Sequence, residues 1–118
     1  MNEKIAFFLM DGPDMAYRMV HAFLWALDMA AREGQVKIVL EGESPRWLLE
    51  LPDAAHGRPG LYRKVKAMGL IDDVCKAYGV QAQAVEAAAE EGLPLLHDAS
   101  GHVSLMRYVE SGYRIITM

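Results

Sequence analysis

The stretch Lys4-Ile5-Ala6-Phe7-Phe8-Leu9-Met10 (KIAFFLM) decides the fold. It is a nearly continuous apolar run, too short for an ordinary helix, and Asp11, Gly12 and Pro13 break it at once. A strand that is apolar on both sides is a strand buried on both faces, as in a parallel sheet.

Outward from this strand the chain alternates. Met15, Met19, Phe23, Leu27 and Ala30 recur at helical spacing, which predicts a helix from Met15 to about Glu33, with Asp14 as N-cap and Gly34 as its end. Val36–Leu40 (VKIVL) is a β-branched strand, and Ser44–Leu51 opens as a helix with Ser44 as cap and Pro45 in the first turn. Pro52–Gly60 (PDAAHGRPG) is expected to be a surface insertion, and Leu61–Met68 a helix stopped by Gly69. Ile71–Ala77 (IDDVCKA) predicts a third strand. Asp72 and Asp73 are poor strand formers, so its paired part is placed at Val74–Tyr78.

Gln81–Glu91 is an alanine-rich helix, and Leu93–Leu96 a short strand made irregular or peripheral by Pro94. A last helix starts at Ser100 or Gly101 and is expected to bury Leu105, Met106 and Val109, before a final strand over Tyr113–Met118. Strict β-α alternation implies parallel strands joined by helical crossovers. The expected architecture is therefore one α/β domain over residues 1–118, a three-layer flavodoxin-like fold with a mainly parallel five-stranded sheet.

Composition narrows the function classes. A net charge of -4 over 118 residues gives no electrostatic attraction to phosphate backbones or anionic lipid, so neither nucleic acid nor a membrane is an expected partner. The apolar stretch of the first helix is interrupted by Arg18, His21, Asp28 and Arg32, which argues against a membrane span. One cysteine, and a first strand that starts within a few residues of Met1, point to the cytoplasm. Neither a Walker loop nor G-x-G-x-x-G occurs, and Asp11-Gly12-Pro13-Asp14 is a poor phosphate cradle, so no cofactor is expected.

In an open α/β sheet, ligands sit beyond the carboxyl ends of the strands. That selects Asp11–Asp14, Glu41–Ser44, Cys75–Gly79 and His97–Gly101. Cys75 has two readings. A strand-end thiol facing a helix N-terminus, with Lys76 adjacent, has its thiolate favoured and can act as a nucleophile or sulfur carrier. A lone intracellular cysteine is most often a small buried hydrophobe. Asp11 and Glu41 would approach Cys75 if the first three strands are neighbours, although helix capping and loop solvation also account for them. His97 and His102, with Asp98, are a weak metal constellation, so no metal site is expected. His102 is expected as a polar first-turn residue, and His21 and His56 as solvated side chains. Arg18, His21, Trp25, Asp28 and Arg32 share a helix face on which Trp25 is either a subunit contact or a surface ring. Trp47 has the same ambiguity.

Gly69-Leu70-Ile71-Asp72-Asp73-Val74-Cys75-Lys76-Ala77, the Ala/Glu-rich helix and Gly92-Leu93-Pro94-Leu95 together resemble the DsrE-like family, as do Val39-Leu40-Glu41-Gly42, Gly101-His102, Tyr108 and Gly112-Tyr113. The resemblance implies a flavodoxin-like fold, homo- or hetero-oligomers, and a role in intracellular sulfur relay in which the residue at Cys75 carries sulfur as a persulfide. Some relatives place a second cysteine a few residues further on. Here Tyr78 stands in the third place after Cys75, so sulfur must pass to another chain or a small thiol. Two functions follow: a sulfur carrier or sulfurtransferase-like subunit using Cys75, with Asp11, Glu41, Lys76 and Tyr78 as support and a donor or acceptor protein as partner; or a non-catalytic oligomeric accessory or small-ligand-binding protein in which Cys75 is structural.

Overall fold

In a computed structural model of the protein, residues 2–53 and 59–118 are described. Much of the Pro52–Gly60 segment and His56 therefore lie outside the described residues. Strands β1 (Lys4–Leu9), β2 (Gln35–Leu40), β3 (Ile71–Cys75), β4 (Leu95–Leu96) and β5 (Arg114–Thr117) form one sheet in the order β4-β3-β2-β1-β5, with every neighbouring pair parallel. Helices α1 (Ala16–Ala31), α2 (Pro59–Ala67), α3 (Lys76–Gln81), α4 (Val85–Glu90) and α5 (Leu105–Glu110) connect them. The result is a three-layer flavodoxin-like α/β fold.

The KIAFFL strand is covered on both faces because its side chains alternate between two cores. Phe7 and Leu9 face α1, α2 and α4, where Met19, Phe23, Tyr62, Val65 and Ala88 are buried with them. Ala6 and Phe8 face the other way, into a smaller cluster with Val39, Cys75, Val103 and Tyr108 of α5. The crossover from β3 to β4 thus carries α4 over the first face, whereas the crossover from β4 to β5 carries α5 over the second. Connections change sides between β3 and β4, whose ends meet where Cys75 pairs with Leu96. Clefts open at such a change of side.

The register of β3 differs from expectation. Its paired part is Ile71–Cys75, with both aspartates inside the strand and Tyr78 in α3. Ile38 pairs with Ile71 but Val39 pairs with Asp73, so Asp72 is the extra residue of a bulge. The bulge sends both aspartates to the second face. Tyr108 lies against both carboxylates, Arg107 pairs with Asp73 at 2.7 Å and Lys37 with Asp72 at 3.4 Å. These partners offset the poor strand propensity that argued for a later start. Alternation is also shifted by one, so Val74 packs in the first core and Cys75 in the second. Without the extra residue Cys75 would point at α1 and α2.

Other boundaries move for local reasons. Asp14 lies in a 3-10 turn (Pro13–Met15) and does not cap α1. Glu33, not Gly34, takes the left-handed conformation after α1, with Gly34 N–H closing onto the Met29 carbonyl. Ser44–Leu49 is a 3-10 turn, and the Ser44 hydroxyl is held between the Leu9 and Glu41 carbonyls instead of capping it. The alanine-rich helix is interrupted at Gln83, which is left-handed, leaving α3 and α4 as separate short pieces. The last helix starts later, at Leu105, and turns Tyr108 inward while Leu105, Met106 and Val109 are exposed. As expected from Pro94, β4 is a short edge strand.

The carboxylates give a pH prediction. Burial would raise Asp72, but the Tyr108 hydroxyl and Lys37 outweigh it and hold the carboxyl below its ordinary value. Glu91 is likewise lowered, against burial, by Tyr62 and Lys66, and Asp98 by the Ser104 amide and Arg107. Each group has a lower pKa folded than unfolded, so its stabilisation is complete above the unfolded value near 4 and is lost as pH falls through the folded value. Urea unfolding followed by circular dichroism is expected to show a midpoint that declines steadily as pH falls through the acid range below about 4.5. A midpoint constant over that interval would contradict the assignment.

Candidate functional site

Two strand ends and one hairpin build the site. Glu41 follows β2, Cys75 ends β3, and His102 comes from the segment between β4 and α5. Ser100 and Gly101 both have positive φ (52° and 89°), and Ala99 and His102 exchange backbone hydrogen bonds of 2.9 and 3.0 Å. This is a two-residue hairpin. It turns His102 back over the sheet, where Nδ1 lies 3.1 Å from Cys75 Sγ. His102 is therefore a hairpin residue in contact with the thiol, not a first-turn residue of a helix.

Glu41 Oε1 lies 3.6 Å from the same His102 Nδ1, while Oε2 accepts the Val103 N–H at 2.8 Å. The Tyr78 ring stands beside the imidazole, with centroids 5.0 Å apart. Glu41 and Cys75 are buried, and the His102 side chain is 41% exposed. An open cleft of about 370 Å³ adjoins them, lined by Phe8, Met10, Glu41, Tyr78, His102 and Leu105 among others. Tyr78 also borders a second cleft of about 240 Å³ shared with Arg46 and Gln81.

Burial pushes the Cys75 thiol up to about 11; the Tyr78 and Ala77 amides counter it, and the Glu41 carboxylate adds to it. The expected lowering by the helix terminus is thus present as two backbone amides but is outweighed by desolvation. At neutral pH the resting sulfur is a thiol, and the adjacent imidazole nitrogen is placed to take its proton.

The other expected support residues separate. Asp11 turns away to Arg18 at 3.3 Å, and its carbonyl accepts the Trp47 indole N–H at 3.1 Å. Lys76 is the first residue of α3 and is exposed, so its placement comes from the helix start and not from strand alternation. Glu41 and Tyr78 are at the thiol. Asp98 serves the Ser104 amide and Arg107, and His97 is exposed, so the His97–Asp98–His102 constellation does not form. The donor set that does converge is Glu41, Cys75 and His102, whose ligand atoms all lie within 4.8 Å of one another. The partnership of His102 with Cys75 was missed, although the Ser100-Gly101 pair is itself a turn signal that locates the hairpin.

No helix among the described residues is long and apolar enough to cross a membrane. No family model matches the chain. No solved structure matches it either. A protein of Methanocaldococcus jannaschii, "Uncharacterized protein MJ0733", is 31% identical over 113 residues, covering 96% of this chain and 89% of that one. At that identity and coverage the chain belongs to the same family as the archaeal protein.

Proposed function

We propose that the protein is a DsrE-like, cytoplasmic, single-cysteine sulfur carrier, a sulfurtransferase-like subunit of a homo-oligomer that receives sulfane sulfur on Cys75 and passes it to a partner protein or small thiol. The observation that carries this reading is the 3.1 Å contact between Cys75 Sγ and His102 Nδ1 beside an open cleft.

The step is redox-neutral. His102 takes the thiol proton as Cys75 sulfur attacks the outer sulfur of a donor persulfide. The Cys75 S–S bond forms as the donor S–S bond breaks, and the leaving donor thiolate recovers the proton from His102. A thiol of high pKa yields a strongly nucleophilic thiolate once its proton is removed, so the elevated pKa is compatible with attack when a base is in contact. Cys75 is covered by its neighbours, so the half-exposed His102 side chain must part from Tyr78 to admit a donor. Exposed Leu105, Met106 and Val109 give α5 an apolar flank for assembly.

Intact-protein mass spectrometry after incubation with a small-molecule persulfide and a chelator is the test. The expected result is a gain of one sulfur, removed by reductant, absent in Cys75→Ser and formed about 100-fold more slowly in His102→Ala. No gain on the wild-type chain, or an equal gain on Cys75→Ser, overturns the reading and leaves Cys75 a packing residue of an accessory subunit.

A further inference from the structure

In a relay triad the carboxylate and the nucleophile occupy opposite nitrogens of the imidazole. Here both face the same one: Cys75 Sγ is 3.1 Å and Glu41 Oε1 3.6 Å from His102 Nδ1. Donor atoms from three separate segments thus converge on one point instead of forming a chain. Convergence of sulfur, nitrogen and oxygen is the arrangement that a shared cation satisfies.

We propose that Glu41, Cys75 and His102 form a mononuclear zinc site with one coordination position open to the adjoining cleft. Zinc bonds of about 2.3 Å to sulfur and about 2.0–2.2 Å to nitrogen and oxygen, at tetrahedral angles, place the ligand atoms about 3.3–3.6 Å apart. The observed 3.1 and 3.6 Å need shifts of only a few tenths of an ångström, and the third pair, Cys75 with Glu41, lies within 4.8 Å and closes onto the ion by a side-chain adjustment of Glu41. Thiolate, imidazole and carboxylate together are a mixed donor set suited to zinc, and unsuited to magnesium or calcium, which take oxygen ligands. Charge closes as well: one thiolate, one carboxylate and a neutral imidazole bring a divalent cation to zero net charge, which suits the buried positions of Glu41 and Cys75. The Val103 amide fixes Oε2 of Glu41 and leaves Oε1 for the ion, the outer-sphere support that metal carboxylates commonly have. With three protein ligands, the open place faces Phe8, Met10 and Leu105, where water or a thiol-bearing small molecule would complete the shell.

This goes beyond sulfur carriage and does not depend on it. It adds a regulatory consequence, since an ion that holds the Cys75 thiolate blocks its loading with sulfur. Binding releases the thiol proton to solvent, so occupancy strengthens as pH rises.

Zinc is titrated into reduced, chelator-treated full-length protein against a chromophoric competitor. Calorimetry in two buffers of different ionisation heat counts the protons released, and cobalt substitution reports ligand type. The expected result is one zinc per chain, about one proton released, a thiolate-to-cobalt absorption band, and affinity lowered at least about 100-fold in Cys75→Ser and His102→Ala and about 10-fold in Glu41→Gln. His97→Ala is expected to bind as the wild type does. Circular dichroism establishes that each variant is folded; the half-exposed His102 makes His102→Ala the deciding variant if Cys75→Ser unfolds. Absence of 1:1 binding, a cobalt spectrum without the thiolate band, or unchanged affinity in folded His102→Ala overturns the site. Sulfur loading measured with chelator present is independent of all three outcomes.

Discussion

Trp47→Ala is expected to cost about 4 kcal/mol and to lower the melting temperature by about 15 °C, whereas Trp25→Ala changes stability by less than about 0.5 kcal/mol. The two indoles differ in what surrounds them. Trp47 is 1% exposed, packed with Leu48 and Leu51 in the first core, and its N–H donates to the Asp11 carbonyl at 3.1 Å. Truncation removes a large apolar surface, opens a cavity and leaves a carbonyl without that donor. Trp25 is 51% exposed on the wet side of α1, in edge contact with His21. Chemical denaturation followed by circular dichroism measures both. Equal losses from the two variants would show that the Ser44–Leu49 turn is not anchored through Trp47. Because this turn follows Glu41 and Gly42, the Trp47 variant is also expected to loosen the carboxylate at the candidate site.

Arg107→Ala is expected to cost about 3 kcal/mol, and adding Asp73→Asn to it is expected to recover part of that loss. Asp73 is the buried member of the pair, with a side chain only 7% exposed, while the Arg107 side chain is 40% exposed and also holds Asp98 at 3.0 Å. Removing Arg107 leaves a carboxylate in the interior with Asp72 as its neighbour and the Tyr108 hydroxyl as its remaining support among the described residues. That penalty, not the lost attraction, dominates, which is why neutralising Asp73 is restorative. The magnitude sits at the low end for a broken buried pair because the guanidinium is partly in water. A double-mutant cycle by urea unfolding gives the coupling directly. A double variant less stable than Arg107→Ala alone would reverse the interpretation.

Much of the architecture was legible in the sequence because it rests on alternation: KIAFFL, VKIVL and the terminal RIIT are strands that period and β-branching identify. What failed were elements set by tertiary partners. Asp72 and Asp73 argue locally against a strand, and nothing near them announces that Tyr108 and Arg107, over thirty residues away, will satisfy them. Leu105, Met106 and Val109 look like a buried set by composition, yet the inward position belongs to Tyr108, whose hydroxyl has buried acceptors. At the candidate site, Cys75 and Glu41 were legible as strand-end groups. His102 was not tied to them, because its direction comes from the left-handed Ser100-Gly101 pair and not from helix or strand period. The helix amides that lower the thiol pKa are visible in sequence, but the depth of burial that outweighs them is not.

The bulge at Asp72 makes the thiol's location a matter of chain order. In the unbulged register Asp73 would face the core under α1 and α2 as a charge without a partner, and the groups that tip the balance, Arg107 and Tyr108, are both in α5 near the C-terminal end. During synthesis β3 emerges well before α5. The partners that hold Cys75 on its side of the sheet, and so beside His102, therefore lie later in the chain than the thiol whose address they set.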